Sequence, residues 1–85
     1  MKVLAAIDVG SNAIKLKIVE YKNHELKVLE DITKILPLGH DTFNIKKLKI
    51  ETVNEAVECL NYYKSLMKEY GVVEYRALGT SAIRE

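Results

Sequence analysis

The stretch Val3 to Lys15, VLAAIDVGSNAIK, decides how the rest of the chain is read. An apolar run, Val3-Leu4-Ala5-Ala6-Ile7, ends in the acid Asp8 and breaks at Gly10-Ser11-Asn12 before a second strand-like run begins at Ala13. Gly10 can take positive φ at no steric cost, so the amides around Ser11 and Asn12 are expected to point inward as a nest for a phosphate-sized anion. A carboxylate at Asp8 would repel that anion unless a cation balances it, and Mg²⁺ held through water is the natural balance. The same residues also suit a plain β-hairpin in which Asp8 and Asn12 hydrogen-bond their own turn.

Outward from this turn, the nearly continuous apolar run predicts a central strand over Val3 to Val9, buried on both faces. From Ala13 the pattern alternates: Ile14, Leu16 and Ile18 point one way and Lys15, Lys17 and Val19 the other, as in a half-solvated strand antiparallel to the first. Lys22-Asn23-His24-Glu25 has hairpin length, and Leu26, Val28, Ile32 and Ile35 predict a third strand with an irregularity near Glu30-Asp31. Pro37, which has no amide hydrogen for a ladder, ends it, and Leu38 to Asn44 reads as an exposed loop.

From about Ile50 the period becomes helical. Val53, Ala56, Val57, Leu60, Tyr63, Leu66, Met67 and Tyr70 draw one apolar stripe along a helix of about 30 Å. Thr52 and Glu55 fit a capping box, with a start two or three residues earlier as the alternative. Gly71 suits the position just past the helix end, and a strand over Val72 to Leu78 follows. A strand, a helix and a strand joined this closely imply a right-handed crossover returning parallel to the first strand. The segment Gly79-Thr80-Ser81-Ala82-Ile83-Arg84-Glu85 then emerges on the sheet edge that holds Asp8 and Gly10, where open sheets bind ligands.

Eighty-five residues make one domain at most. A chain this short buries only about 60% of the surface its unfolded form exposes, so the core is small. The 48% hydrophobic and 29% charged residues are ordinary for a globular protein. A net charge of +1 offers no general attraction to nucleic acid or to an anionic membrane, so any anion binding must be local. The single cysteine, Cys59, excludes an internal disulfide, and two scattered histidines give no metal-ligand spacing. A reducing, cytoplasmic setting fits best, and the apolar run before Asp8 is too short for a secretory or membrane segment. Thr80 or Ser81 reads as the N-cap of a helix of which one turn is present, an ending that suggests a fragment.

Three segments together resemble the N-terminal part of the exopolyphosphatase and guanosine pentaphosphate phosphatase family: Ala6-Ile7-Asp8-Val9-Gly10-Ser11-Asn12, Leu38-Gly39, and Gly79 to Glu85. The resemblance implies an α/β fold: a partial ribonuclease H-like, or actin-like ATPase, lobe. On this reading residues 1–85 form one partial domain, with the second half of the lobe and a second lobe absent. It also implies phosphate contacts for Gly10, Ser11 and Asn12, with Asp8 near a divalent cation and Thr80 and Ser81 lining the same cleft. Arg84 matches the family's arginine beside the catalytic site, whose fork of donors suits a terminal phosphate. Ala13 stands where a serine is usual. Lys15 stands where an arginine is usual, exchanging a bidentate phosphate contact for a point charge.

The implied activity is Mg²⁺-assisted hydrolysis of the terminal phosphate of polyphosphate or guanosine pentaphosphate. The family's general-base glutamate lies beyond Glu85, so these residues alone are expected to show no appreciable turnover. Two alternatives stand beside this reading. One is a superfamily kinase or ATPase; the other is a non-catalytic interaction module that associates, with itself among others, through an unfinished sheet edge. His24 and His40 read as solvated, Cys59 as a small hydrophobe at the margin of the helical stripe, and the tyrosines as boundary residues with wet hydroxyls. Lys46, Lys47 and Lys49 read as a solvated approach to the helix rather than a track for polyanion.

Overall fold

The structure, a computed structural model, describes residues 1–36 and 50–79. Its elements are β1 (Lys2–Val9), β2 (Ala13–Lys22), β3 (Glu25–Ile35), α1 (Ile50–Tyr70) and β4 (Glu74–Gly79). The sheet has the order β3-β2-β1-β4, with β1 and β4 parallel and the other neighbours antiparallel. This is the mixed sheet expected from the sequence, an antiparallel meander whose helix returns a fourth strand beside the first. Pro37, the 38–44 loop, His40 and the lysines at 46, 47 and 49 lie outside the described residues.

Strand β2 anchors the core, because its alternation puts Ile14, Leu16 and Ile18 on one face with no exposure at all. Each such side chain contributes about 1.5–3 kcal/mol when fully buried. Val3, Ala5 and Ile7 of β1, Leu36, and Cys59, Tyr63 and Met67 of α1 complete the cluster. Strand β1 is central, as expected, but it is buried on one face only. Leu4 is half-buried, and Ala6 and Asp8 are exposed. Two-sided burial needs a covering layer on each face, and among the described residues α1 covers just one.

At the tip between β2 and β3, Asn23 and His24 both have positive φ (52° and 66°), the backbone of a primed two-residue hairpin turn. His24 is exposed, as its place in a polar turn predicts. The register of β3 shifts by one residue, with Val19 opposite Val28 but Ile18 opposite Glu30, so the extra residue is Leu29. That bulge stands just before the Glu30-Asp31 position anticipated for it. It turns Leu29 and Ile32 toward the core and leaves Leu26 and Val28 on the open face.

Helix α1 begins at Ile50, so Thr52 is a buried residue of its first turn and not a cap, and the Thr52–Glu55 capping box does not form. The buried stripe is also rotated from the expected one. Cys59 sits within the core, while Val57 and Leu60 are 51% and 38% exposed. Two tyrosines that read as wet are bonded instead. The Tyr63 hydroxyl donates to the Ile14 carbonyl at 2.7 Å, and the Tyr70 hydroxyl donates to Glu30 Oε2 at 2.8 Å.

The helix stops at Gly71, whose φ of +72° lets the Gly71 and Val72 amides fold back onto the Lys68 and Met67 carbonyls at 3.2 and 2.9 Å. This pair of bonds satisfies the last carbonyls of the helix. A Cβ at Gly71 would meet nothing within 4 Å, so the cost of a substitution is in the backbone alone. Gly71→Ala is expected to lower stability by about 1–2 kcal/mol, the penalty of a left-handed conformation. Urea denaturation checks this, and an unchanged midpoint would contradict it.

Candidate functional site

The parallel pairing of β1 with β4 brings the two strand ends to one edge, where Asp8 pairs with Leu78 and Val9 with Gly79. The turn Gly10-Ser11-Asn12 leaves β1 at that same edge. The expected meeting of the first turn and the exit of the last strand is therefore present as far as Gly79. Thr80, Ser81 and Arg84 lie outside the described residues.

The turn itself is closed differently from expectation. Among the described residues positive φ is confined to Asn23, His24 and Gly71, so Gly10 does not adopt the left-handed conformation. Its amide donates instead to the Ala13 carbonyl at 2.8 Å, which ends the β1–β2 ladder and removes that amide as a ligand donor. Ser11 and Asn12 are the two residues of the tip, and their amides have no backbone acceptor among the described residues. An anion at this turn would be met by these two amides and by the Ser11 and Asn12 side chains.

Two further bonds hold the tip from the core side. The Leu36 amide donates to the Asn12 carbonyl at 2.8 Å, and Tyr63 holds the Ile14 carbonyl two residues on. Both Leu36 and Tyr63 are buried. Burial, with the Cys59 thiol beside it, pushes the Tyr63 phenol above the ordinary tyrosine value of 10.0, so it remains a neutral donor. Sequence reading passed over both residues. The available signal was Tyr63's place in the middle of the helical stripe, where a phenol must find a partner inside.

Asp8 and Lys15 are direct partners across β1 and β2, hence on one face of the sheet. They form no ion pair; the pair found among the described residues is Lys17 with Asp31 at 3.9 Å, both well exposed. Lys15 is therefore positioned beside Asp8 without being committed to it. No group of three or more His, Cys, Asp or Glu that could hold a metal exists among the described residues. A single exposed carboxylate fits Mg²⁺, which keeps most of its waters and binds through one or two carboxylates plus phosphate.

An apolar groove of about 640 Å³ lies elsewhere, between α1 and β4, lined by Ile7, Leu60, Met67, Val72, Tyr75 and Ala77 among others. It does not include the turn. No helix among the described residues is long and apolar enough to cross a membrane.

The sheet order and the shared strand-end edge define a lobe of the actin-like ATPase class. Among solved structures, the Ppx/GppA family member of Aquifex aeolicus superposes with a TM-score of 0.89 at 30% identity, covering 98% of this chain and 27% of that one. An exopolyphosphatase from Cytophaga hutchinsonii superposes with a TM-score of 0.84 at 28% identity, covering 98% of this chain and 27% of its own. Over nearly its whole length the chain is thus similar in fold and in sequence to members of the Ppx/GppA family. A bifunctional 3-dehydroquinate synthase/phosphatase of Fusobacterium nucleatum is 33% identical over 88 aligned residues, which cover 95% of this chain and 13% of the relative. The chain thus spans about a quarter of the length of those structures and less of that relative. No protein-family model matches it.

Proposed function

We propose that this chain supplies the phosphate-binding hairpin of a phosphatase that removes the terminal phosphate of inorganic polyphosphate or guanosine pentaphosphate. One observation carries the reading: Asp8, the Ser11-Asn12 tip and the end of β4 share one edge of the sheet. Ser11 and Asn12 would bind a phosphate oxygen through their amides, and Lys15, across from Asp8, would add a point charge. Asp8 would hold Mg²⁺ through water, and the cation would neutralise charge between carboxylate and phosphate. Thr80 and Ser81 would line the cleft, and Arg84 would offset charge developing on the transferred phosphoryl group. None of these groups is a general base for water, so the 85 residues by themselves should release no phosphate.

A phosphate-release assay on a longer phosphatase carrying this segment tests the assignment. Arg84→Ala should slow release without lowering thermal stability, whereas unchanged release would refute the role. Consumption of ATP only in the presence of an acceptor would turn the reading to a kinase. The cytoplasmic setting inferred from cysteine usage belongs to this same proposal.

A further inference from the structure

Three consecutive carbonyls leaving the tip of the first hairpin each accept a bond from a different element. The Leu36 amide donates to Asn12 at 2.8 Å, the Gly10 amide to Ala13 at 2.8 Å, and the Tyr63 hydroxyl to Ile14 at 2.7 Å. The first two run from backbone to backbone and survive most changes of side chain. The third is made by a side chain, and of the three it alone ties the hairpin to α1. Peptide units are planar, so holding these three carbonyls fixes the chain from the Asn12 carbonyl to the Lys15 amide. The Ser11 and Asn12 amides start from that fixed segment, and the dihedrals of these two residues aim them. Every group involved lies within the sheet and the helix packed on it, so the arrangement draws on no open surface or edge of the molecule.

We infer that the Tyr63 hydroxyl is a positioning group for anion binding at the tip: by holding the Ile14 carbonyl it sets the angle at which the Ser11 and Asn12 amides meet a phosphate oxygen. This rests on the proposed phosphate-binding role of that turn. Tyr63 is 1% exposed, so it acts through the backbone of β2 and never on the ligand itself. Packing alone does not call for a hydroxyl here, since the apolar cluster of Ile14, Leu36 and Cys59 would hold a phenylalanine ring as well. What the hydroxyl adds is direction, because a hydrogen bond fixes a carbonyl in a way that apolar contact does not. Two amides that share one oxygen must be placed to within about 0.5 Å, which is the task of groups behind a binding site. The same helix runs on through Gly71 to β4, whose Gly79 pairs with Val9 next to the tip. Helix α1 therefore sets the hairpin through Tyr63 and the facing strand end through its own C-terminus.

The test is an amide-resolved titration of the 85-residue chain with inorganic tripolyphosphate and Mg²⁺, run on the parent, Tyr63→Phe and Gly71→Ala. Tyr63→Phe keeps the ring and removes the bond. Gly71→Ala acts at the other end of β1, where the Val73 amide meets the Val3 carbonyl, so it reports lost stability without touching the tip. Tyr63→Phe should shift the Ser11 and Asn12 amides before ligand is added and weaken binding about 10-fold, the lower end of the loss when a supporting hydrogen bond behind a binding group is removed. Gly71→Ala should bind as the parent does. In the parent, the Tyr63 ring signals should move together with Ser11 and Asn12 as ligand is added, a readout that needs no variant. Three results overturn the inference while leaving the phosphate reading in place: a Tyr63→Phe chain that binds like the parent, an equal weakening in Gly71→Ala, or a Tyr63 ring unmoved in a parent that binds. A parent that binds no tripolyphosphate removes the phosphate reading, and the inference with it.

Discussion

Tyr63→Ala is expected to lower the unfolding free energy by about 3–5 kcal/mol, the range for removing a large buried aromatic side chain. An 85-residue domain has about 4–13 kcal/mol in total at the usual stability per residue, so this one change should leave a substantial unfolded fraction. Two losses combine: the ring leaves a cavity among Ile14, Leu36 and Cys59, and the Ile14 carbonyl loses the hydroxyl 2.7 Å away. Tyr63→Phe separates them. It keeps the ring and should cost about 1–3 kcal/mol for the unsatisfied carbonyl.

The same phenol predicts a pH dependence with a definite sign. Its folded pKa is raised by burial above the unfolded value of 10.0, so its contribution is complete below pH 10 and declines above it, as the unfolded chain ionises first. Tyr70 is raised as well, first by its hydrogen bond to Glu30 and then by desolvation, and acts in the same direction. Urea midpoints measured from neutral to alkaline pH should fall above pH 10, and less steeply in Tyr63→Phe. A wild-type midpoint indifferent to that rise, or a Tyr63→Ala variant as stable as the parent, would contradict the role given to this side chain.

The elements of this fold are legible in the sequence because each has its own period. Alternation at Ile14, Leu16 and Ile18 marks a half-buried strand, and three- and four-residue steps from Val53 to Tyr70 mark a helix. Gly71 marks where the helix turns back. What periodicity does not carry is the number of layers. The run Val3 to Ile7 has the composition of a strand covered twice, but its second face, Leu4, Ala6 and Asp8, is covered by nothing described. The phase of the helix was displaced for a related reason. Packing selected the face carrying Cys59 and Tyr63, which offers a small residue where the sheet is close and a hydroxyl where a carbonyl needs a donor.

The placement of the candidate site at one sheet edge was legible in outline. Asp8, Gly10, Ser11, Asn12 and Lys15 could be assigned to one edge from strand lengths and the crossover rule, and the pairing of Val9 with Gly79 brings the end of β4 to it. Individual hydrogen bonds were not legible. Which amide of the turn is consumed depends on how the ladder closes: here Gly10 is used by Ala13, which narrows the anion-binding backbone to Ser11 and Asn12. The anchors beneath the tip, Leu36 and Tyr63, are 24 and 49 residues from their acceptors Asn12 and Ile14, separations no local pattern encodes.

Asp8→Asn is expected to weaken Mg²⁺-dependent phosphate binding by about 10–100-fold, the usual loss when a group that acts on a metal through its outer shell is changed. Asp8 is exposed and forms no ion pair among the described residues, so the substitution should leave stability within about 0.5 kcal/mol of the parent. That separation of affinity from stability distinguishes a ligand-binding carboxylate from a hairpin residue that only holds its own turn. The most direct measurement is an amide-resolved NMR titration of the chain with inorganic tripolyphosphate and Mg²⁺, parent beside Asp8→Asn. The account predicts the largest shifts at Ser11 and Asn12, with smaller ones at Gly79, and a weakened response in the variant. Shifts confined to the lysine-bearing end of α1 at Lys64 and Lys68, or equal titration of parent and variant, would contradict it.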